Sequence, residues 1–175
     1  MTLDFRSWHP EQKARFVAVL FAIIGIAAWL ALERNVFSFP LALFYAVITI
    51  NTYFSVRFFS GLMPSEDALQ HVLDVVLAIF FLLLALHFAH PIIFVFFALC
   101  LFIAATLKYA LLIHTFAHPI VLRRKILIDL LGIILCAVIL GLMLAGAVFY
   151  ATWAFALIFL AANAHLLILR PMYRQ

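Results

Sequence analysis

Charge is scarce in this chain: 10% of its 175 residues are Asp, Glu, Lys or Arg, while 70% are hydrophobic. Too little polar surface is available to coat a water-soluble protein of this size, and a mean hydropathy of +1.28 requires an outer surface that meets lipid. Cysteine is nearly absent. Cys100 and Cys136 both fall inside apolar runs without a neighbouring cysteine, which excludes a dense disulfide framework and a Cys-x-x-Cys-His haem attachment. Both read as reduced, buried packing residues. The sequence also has no Gly-x-Ser-x-Gly, no Walker glycine loop, no His-Glu-x-x-His, no Thr-Val-Gly-Tyr-Gly filter and no regularly spaced arginine sensor. These absences speak against an enzyme and against several channel and pump types, without selecting an activity.

What fills the chain instead is apolar sequence in lengths suited to a bilayer. About 20 helical residues cross a hydrocarbon core roughly 30 Å thick. Six such runs occupy approximately 14–33, 37–59, 70–88, 91–118, 125–145 and 147–169. They lack the short alternating segments of a membrane β-barrel. The expected fold class is therefore an all-α membrane protein, a six-transmembrane-helix bundle built as three helical hairpins. Residues 1–13 form a cytoplasmic or interfacial N-terminal segment, 14–169 the transmembrane domain and 170–175 a cytoplasmic C-terminal tail. The first run does not read as a signal peptide: Asp4 and Glu11 precede it, it outlasts an ordinary h-region, and Glu33-Arg34 closes it without a small-residue cleavage site.

Arg34-Asn35-Val36, residues 87–91 and residues 144–147 make tight turns, whereas 60–69 and 117–124 are longer and more polar. The long links share a side with the termini, and that side holds Arg6, Lys13, Arg15, Arg57, Arg123, Arg124, Lys125, Arg170 and Arg174; the other side holds Arg34. The positive-inside rule then puts both termini in the cytoplasm, in a bacterial-type cytoplasmic (inner) membrane. The net charge of +4 is accounted for by this orientation signal and calls for no nucleic acid. A weak repeat accompanies the layout: Pro119 and Asp129 follow Pro64 and Asp74 at one common offset, which also carries Asn51 onto Thr106. Either an old duplication or the ordinary use of Pro after a helix end explains it.

Charges inside apolar runs are the costliest residues here, at roughly 2.5–3.5 kcal/mol each on insertion scales, so they face a bundle interior, find partners or serve an ion pathway. Asp74 and Asp129 are each expected about one turn inside their helices, with Lys108 deeper on the fourth run and Arg57, His114 and His165 reaching the same level. Pairing of a carboxylate with Lys108 or Arg57, beside a histidine that gains and loses a proton, would make a proton or ion pathway. Snorkelling, helix-dipole stabilisation and register-fixing ion pairs explain the same residues structurally. Asn51 and Asn163 lie in polar or small-residue stretches and serve either helix packing or solute binding.

Seven histidines raise the question of haem b, since His71 and His87 lie on one run with His114 or His165 as facing partners for His71. Only His90, in a turn, is available for His87, so no cofactor and no metal are expected. Twenty phenylalanines provide aromatic surface for lipid, for neighbouring helices or for partner subunits, and the partners in view are the bilayer, a homo-oligomer or a larger membrane complex. Three readings stand open: a proton- or ion-linked transporter or channel using a cytoplasmic-half Asp/Lys/His cluster, a non-catalytic accessory or assembly subunit, and a membrane-embedded haem or redox protein.

Overall fold

The computed structural model describes residues 8–61, 68–113 and 119–169. Within them the chain forms α1 (Pro10–Ala31), α2 (Ser38–Phe59), α3 (Ala68–Leu86), α4 (Pro91–Leu112), α5 (Pro119–Leu144) and α6 (Val148–Ala164), with a π-helical turn over His165–Leu169 and no strand among the described residues. All six are long and apolar enough to cross a membrane, the sixth when counted with its π-helical turn as far as Ile168. The chain is thus an all-helical, multi-pass integral membrane protein in its architecture.

Proline sets several of the starts. Pro10, Pro91 and Pro119 each open a helix, where the missing N–H costs nothing and the fixed φ already suits the helix. For α5 this changes the boundary: residues 117–124 are expected as a polar link, but the helix begins at Pro119 and carries Arg123, Arg124 and Lys125 on its first two turns. Proline in the first turn is compatible with a helix start as well as a helix stop, and composition alone does not separate the two. The α5–α6 turn is closed by Gly146 at φ +96, with Ala147 N–H donating to Leu142 O and Gly146 N–H to Met143 O, both at 3.0 Å. This is a Schellman ending, which needs the left-handed conformation glycine adopts at little cost.

Neighbouring helices close a ring in the order α1, α2, α6, α5, α4, α3 and back to α1. Phenylalanine fills its centre. Phe44 of α2 stacks on Phe155 of α6 at 4.3 Å, lies 4.3 Å from Phe159 and meets the edge of Phe94 of α4 at 5.7 Å. Phe21 of α1 stacks on Phe81 of α3 at 4.1 Å. Such rings supply large contact area and about 0.5–1.5 kcal/mol per favourable pair beyond burial. At the α1–α2 turn, Asn35 ties two connections together: its Oδ1 accepts from Phe37 N–H at 3.0 Å and its Nδ2 donates to Ala89 O, in the α3–α4 turn, at 2.9 Å.

The α1–α2 contact depends on a glycine. Tyr45 lies against Gly25 and donates its hydroxyl to Phe21 O at 3.0 Å, and a Cβ on Gly25 would come within 2.5 Å of Tyr45 Cε1. Gly25→Val is expected to destabilise the detergent-solubilised protein by about 1–3 kcal/mol, the usual cost of overpacking, as a lowered thermal midpoint. Gly141→Val, at a position where an added Cβ meets nothing within 4 Å, is the control and should leave the midpoint near its starting value.

Candidate functional site

Several buried or half-buried polar side chains bond back to the backbone of their own helices. Thr49 donates to Tyr45 O, Thr52 to Ile48 O and Thr152 to Val148 O, and Asn163 Nδ2 donates to Phe159 O at 2.9 Å. Without water in the hydrocarbon, a side chain that turns back onto its own backbone satisfies itself without a partner helix. These residues therefore need no ligand to explain them. Apart from Ser38, which bonds Asn35 at the α1–α2 turn, the other buried polar groups gather at the end of the bundle formed by the C-terminal parts of α2 and α4 and the N-terminal parts of α3 and α5.

Two lysine–aspartate pairs lie there. Lys108 of α4, with 9% of its side chain exposed, donates to Asp74 Oδ1 of α3, whose side chain is 54% exposed on the outside of the bundle. Lys125 of α5 donates to Asp129 Oδ1 one turn further along the same helix, at 2.6 Å, with side-chain exposures of 7% and 1%. The carboxylates thus take different lysines. Of the expected pairings of a carboxylate with Lys108 or Arg57, the Lys108–Asp74 pair is formed, whereas Asp129 takes Lys125, one turn away on its own helix.

Asp129 is also deeper than expected. From Pro119 to Asp129 the helix rises about 15 Å at 1.5 Å per residue. The N-terminal dipole acts over the first turn only, so it does not account for a carboxylate at that depth. Its direct support is Lys125, whose ammonium lies 5.4 Å from the Tyr109 ring centroid. Tyr109 in turn shares a hydrogen bond of 2.8 Å with Ser55 of α2 and packs against Phe59 at 4.8 Å. One continuous set of contacts therefore joins α5, α4 and α2 from Asp129 to Ser55. Since Lys125 faces Tyr109, it shares a level with Lys108, and Asp129 lies a turn further into the bundle.

Four buried side-chain oxygens have no hydrogen-bond partner among the described residues: Ser60 Oγ, Gln70 Oε1, Thr106 Oγ1 and Asp129 Oδ2. Only the last belongs to an ionisable group. An unpaired buried acceptor costs about 1–3 kcal/mol, more when charged, so Asp129 Oδ2 is the atom in this region with most to gain from a proton or a water.

The other sequence candidates are placed as follows. Arg57 and His165 are exposed, Asn51 is half-buried, and His114 lies outside the described residues. His87 Nδ1 is 2.7 Å from Leu83 O and its ring is 6.2 Å from that of His90. No group of three or more His, Cys, Asp or Glu side chains able to hold a metal occurs among the described residues. Sequence reasoning missed Lys125, which it counted with the surface cations, and Tyr109. The i, i+4 spacing of Lys125 and Asp129 was the available signal. No protein-family model, curated protein or solved structure matches the chain.

Removing one member of a buried pair strands the other. Lys125→Met should cost about 3–5 kcal/mol of stability, whereas Lys125→Met combined with Asp129→Leu should recover most of it. Asp74→Asn should be milder than Lys125→Met, since its carboxylate already reaches the surface. Denaturant titration of the purified variants in one detergent checks the order.

Proposed function

We propose that this membrane protein couples proton movement to the passage of another solute, with Asp129 as the proton-carrying group. The observation that carries the reading is the division of its carboxylate, one oxygen on Lys125 and the other shut in without a partner among the described residues. A proton arriving on the free oxygen neutralises Asp129 and releases the attraction on Lys125. The Tyr109 ring offers that ammonium a second favourable contact, of a kind worth about 0.5–2 kcal/mol. Because Tyr109 is bonded to Ser55, a shift of Lys125 toward the ring would be felt on α2. Protonation is thereby linked to the packing of three helices.

The orientation that accompanies this proposal is three hairpins with both termini cytoplasmic, in an inner-membrane-type bilayer. Lys125 no longer counts toward it, being buried, but Arg15, Arg57, Arg123 and Arg124 at one end against Arg34 at the other still favour it. Asp129 then lies in the cytoplasmic half of the bundle.

One observation favours the accessory-subunit reading instead. Asp74 presents a half-exposed carboxylate on the lipid-side face of α3, where a partner helix would shield it. Proton flux into proteoliposomes carrying an enclosed pH-sensitive dye separates the two. The expected result is flux with the intact protein, flux at the level of empty vesicles with Asp129→Asn, and retained flux with Asp74→Asn. Absence of flux in every sample, together with stable co-purifying membrane subunits lost on Asp74→Asn, would replace transport by assembly.

A further inference from the structure

At the opposite end of the bundle a groove of about 360 Å³ runs between α1 and α2, lined almost wholly by carbon. Ala22 and Ile26 of α1 and Ala46 and Ile50 of α2 form walls exposed to the outside of the bundle, and Tyr45 and Trp29 also line it. Over these residues the groove follows the helices for roughly 6–10 Å at 1.5 Å per residue, with Trp29 toward the α1–α2 turn. It is a trough in a membrane-spanning surface.

The rim of the groove is charged. The Arg34 guanidinium lies 5.8 Å from the Trp29 ring centroid, and Glu33 precedes it in the exposed extended segment after α1. Among the described residues neither forms an ion pair. An adjacent anion and cation at head-group depth, above a hydrocarbon trough, complement a molecule carrying a phosphate, an ammonium and an apolar chain. We propose that the α1–α2 groove binds one chain of a zwitterionic phospholipid with a primary ammonium head group, its phosphate on Arg34 and its ammonium on Glu33. This site is independent of the Asp129 transport reading and lies in the leaflet at the α1–α2 turn. A purely anionic lipid would satisfy Arg34 and meet repulsion from Glu33.

The test reconstitutes the full chain into vesicles of equal parts phosphatidylethanolamine, phosphatidylglycerol and phosphatidylcholine, re-extracts it in mild detergent and identifies the retained lipid by mass spectrometry. Phosphatidylethanolamine should be enriched over its share of the vesicle. Glu33→Gln should abolish that enrichment while lipid is still retained, and Arg34→Gln should lower retention of all three lipids. Ala46→Phe and Ala22→Phe, which fill the trough, should each shed the bound lipid at unchanged helicity and elution volume. Retained lipid that mirrors the vesicle in the intact protein overturns the proposal. So does a change of oligomeric mass in Ala46→Phe with lipid retention intact, which would make the groove a contact between copies. Should both filled variants misfold, the Glu33→Gln comparison decides alone, because that side chain is exposed and outside the helices.

Discussion

A polar atom inside a bilayer has no water to turn to, and this constraint governs how the chain uses its few polar residues. Thr49, Thr52, Thr152 and Asn163 bond back to carbonyls one turn earlier in their own helices, so each is satisfied before any helix meets another. Lys108 and Lys125 cannot do this, since an ammonium needs an anion or a π face as well as a carbonyl. They find Asp74 and Asp129. Once those pairs are made, Asp129 Oδ2 is the one oxygen of an ionisable side chain left buried without a partner among the described residues. The site is thus what remains after the solvent's demand has been met elsewhere.

The aromatic interior makes the second contribution. Phenylalanine at Phe44, Phe94, Phe155 and Phe159 joins α2, α4 and α6 at the centre of the ring, and these rings are rigid and have no hydrogen-bonding needs. Lipid is as apolar as the core, so burial alone gives helices little reason to associate, and close packing has to supply it. Glycine is placed accordingly: Gly25 admits the Tyr45 ring and Gly132 admits Phe102, whose Cδ1 and Cε1 would lie 2.9 Å from an added Cβ. The second of these close approaches, between α4 and α5, lies one turn from Asp129. The register that seats Phe102 over Gly132 also seats Tyr109 over Lys125.

The two ends of the bundle are chemically distinct. One carries two ion pairs on α3, α4 and α5, of which Lys125–Asp129 is fully buried. The other carries an apolar trough whose rim charges, Glu33 and Arg34, stay exposed. The separation places the proton-linked proposal and the lipid proposal on different helices and at different depths, so that a change at one is not forced on the other by direct contact.

Membrane class and the number of long helices were legible in the sequence, because both follow from the length and continuity of apolar runs set against a solvent of known thickness. So was the cost of Asp74, Lys108 and Asp129, which depends on burial in an apolar segment and on nothing finer. The start of α5 was not legible: a proline followed by basic residues reads as a link, yet Pro119 is a suitable first helical residue and the arginines can extend toward the head groups. The partners were not legible either. Lys108 could reach several acids by depth alone, and only the rotation of α4, set by packing of Phe94, Ala98, Phe102 and Tyr109 against the core, turns it to Asp74. The same holds for phenylalanine, whose abundance is a property of the sequence while the choice between lipid and core depends on helix rotation. Composition and run length determine how many helices the bilayer must receive; side-chain packing between helices, which no single run encodes, decided which charges meet and which carboxylate oxygen is left over.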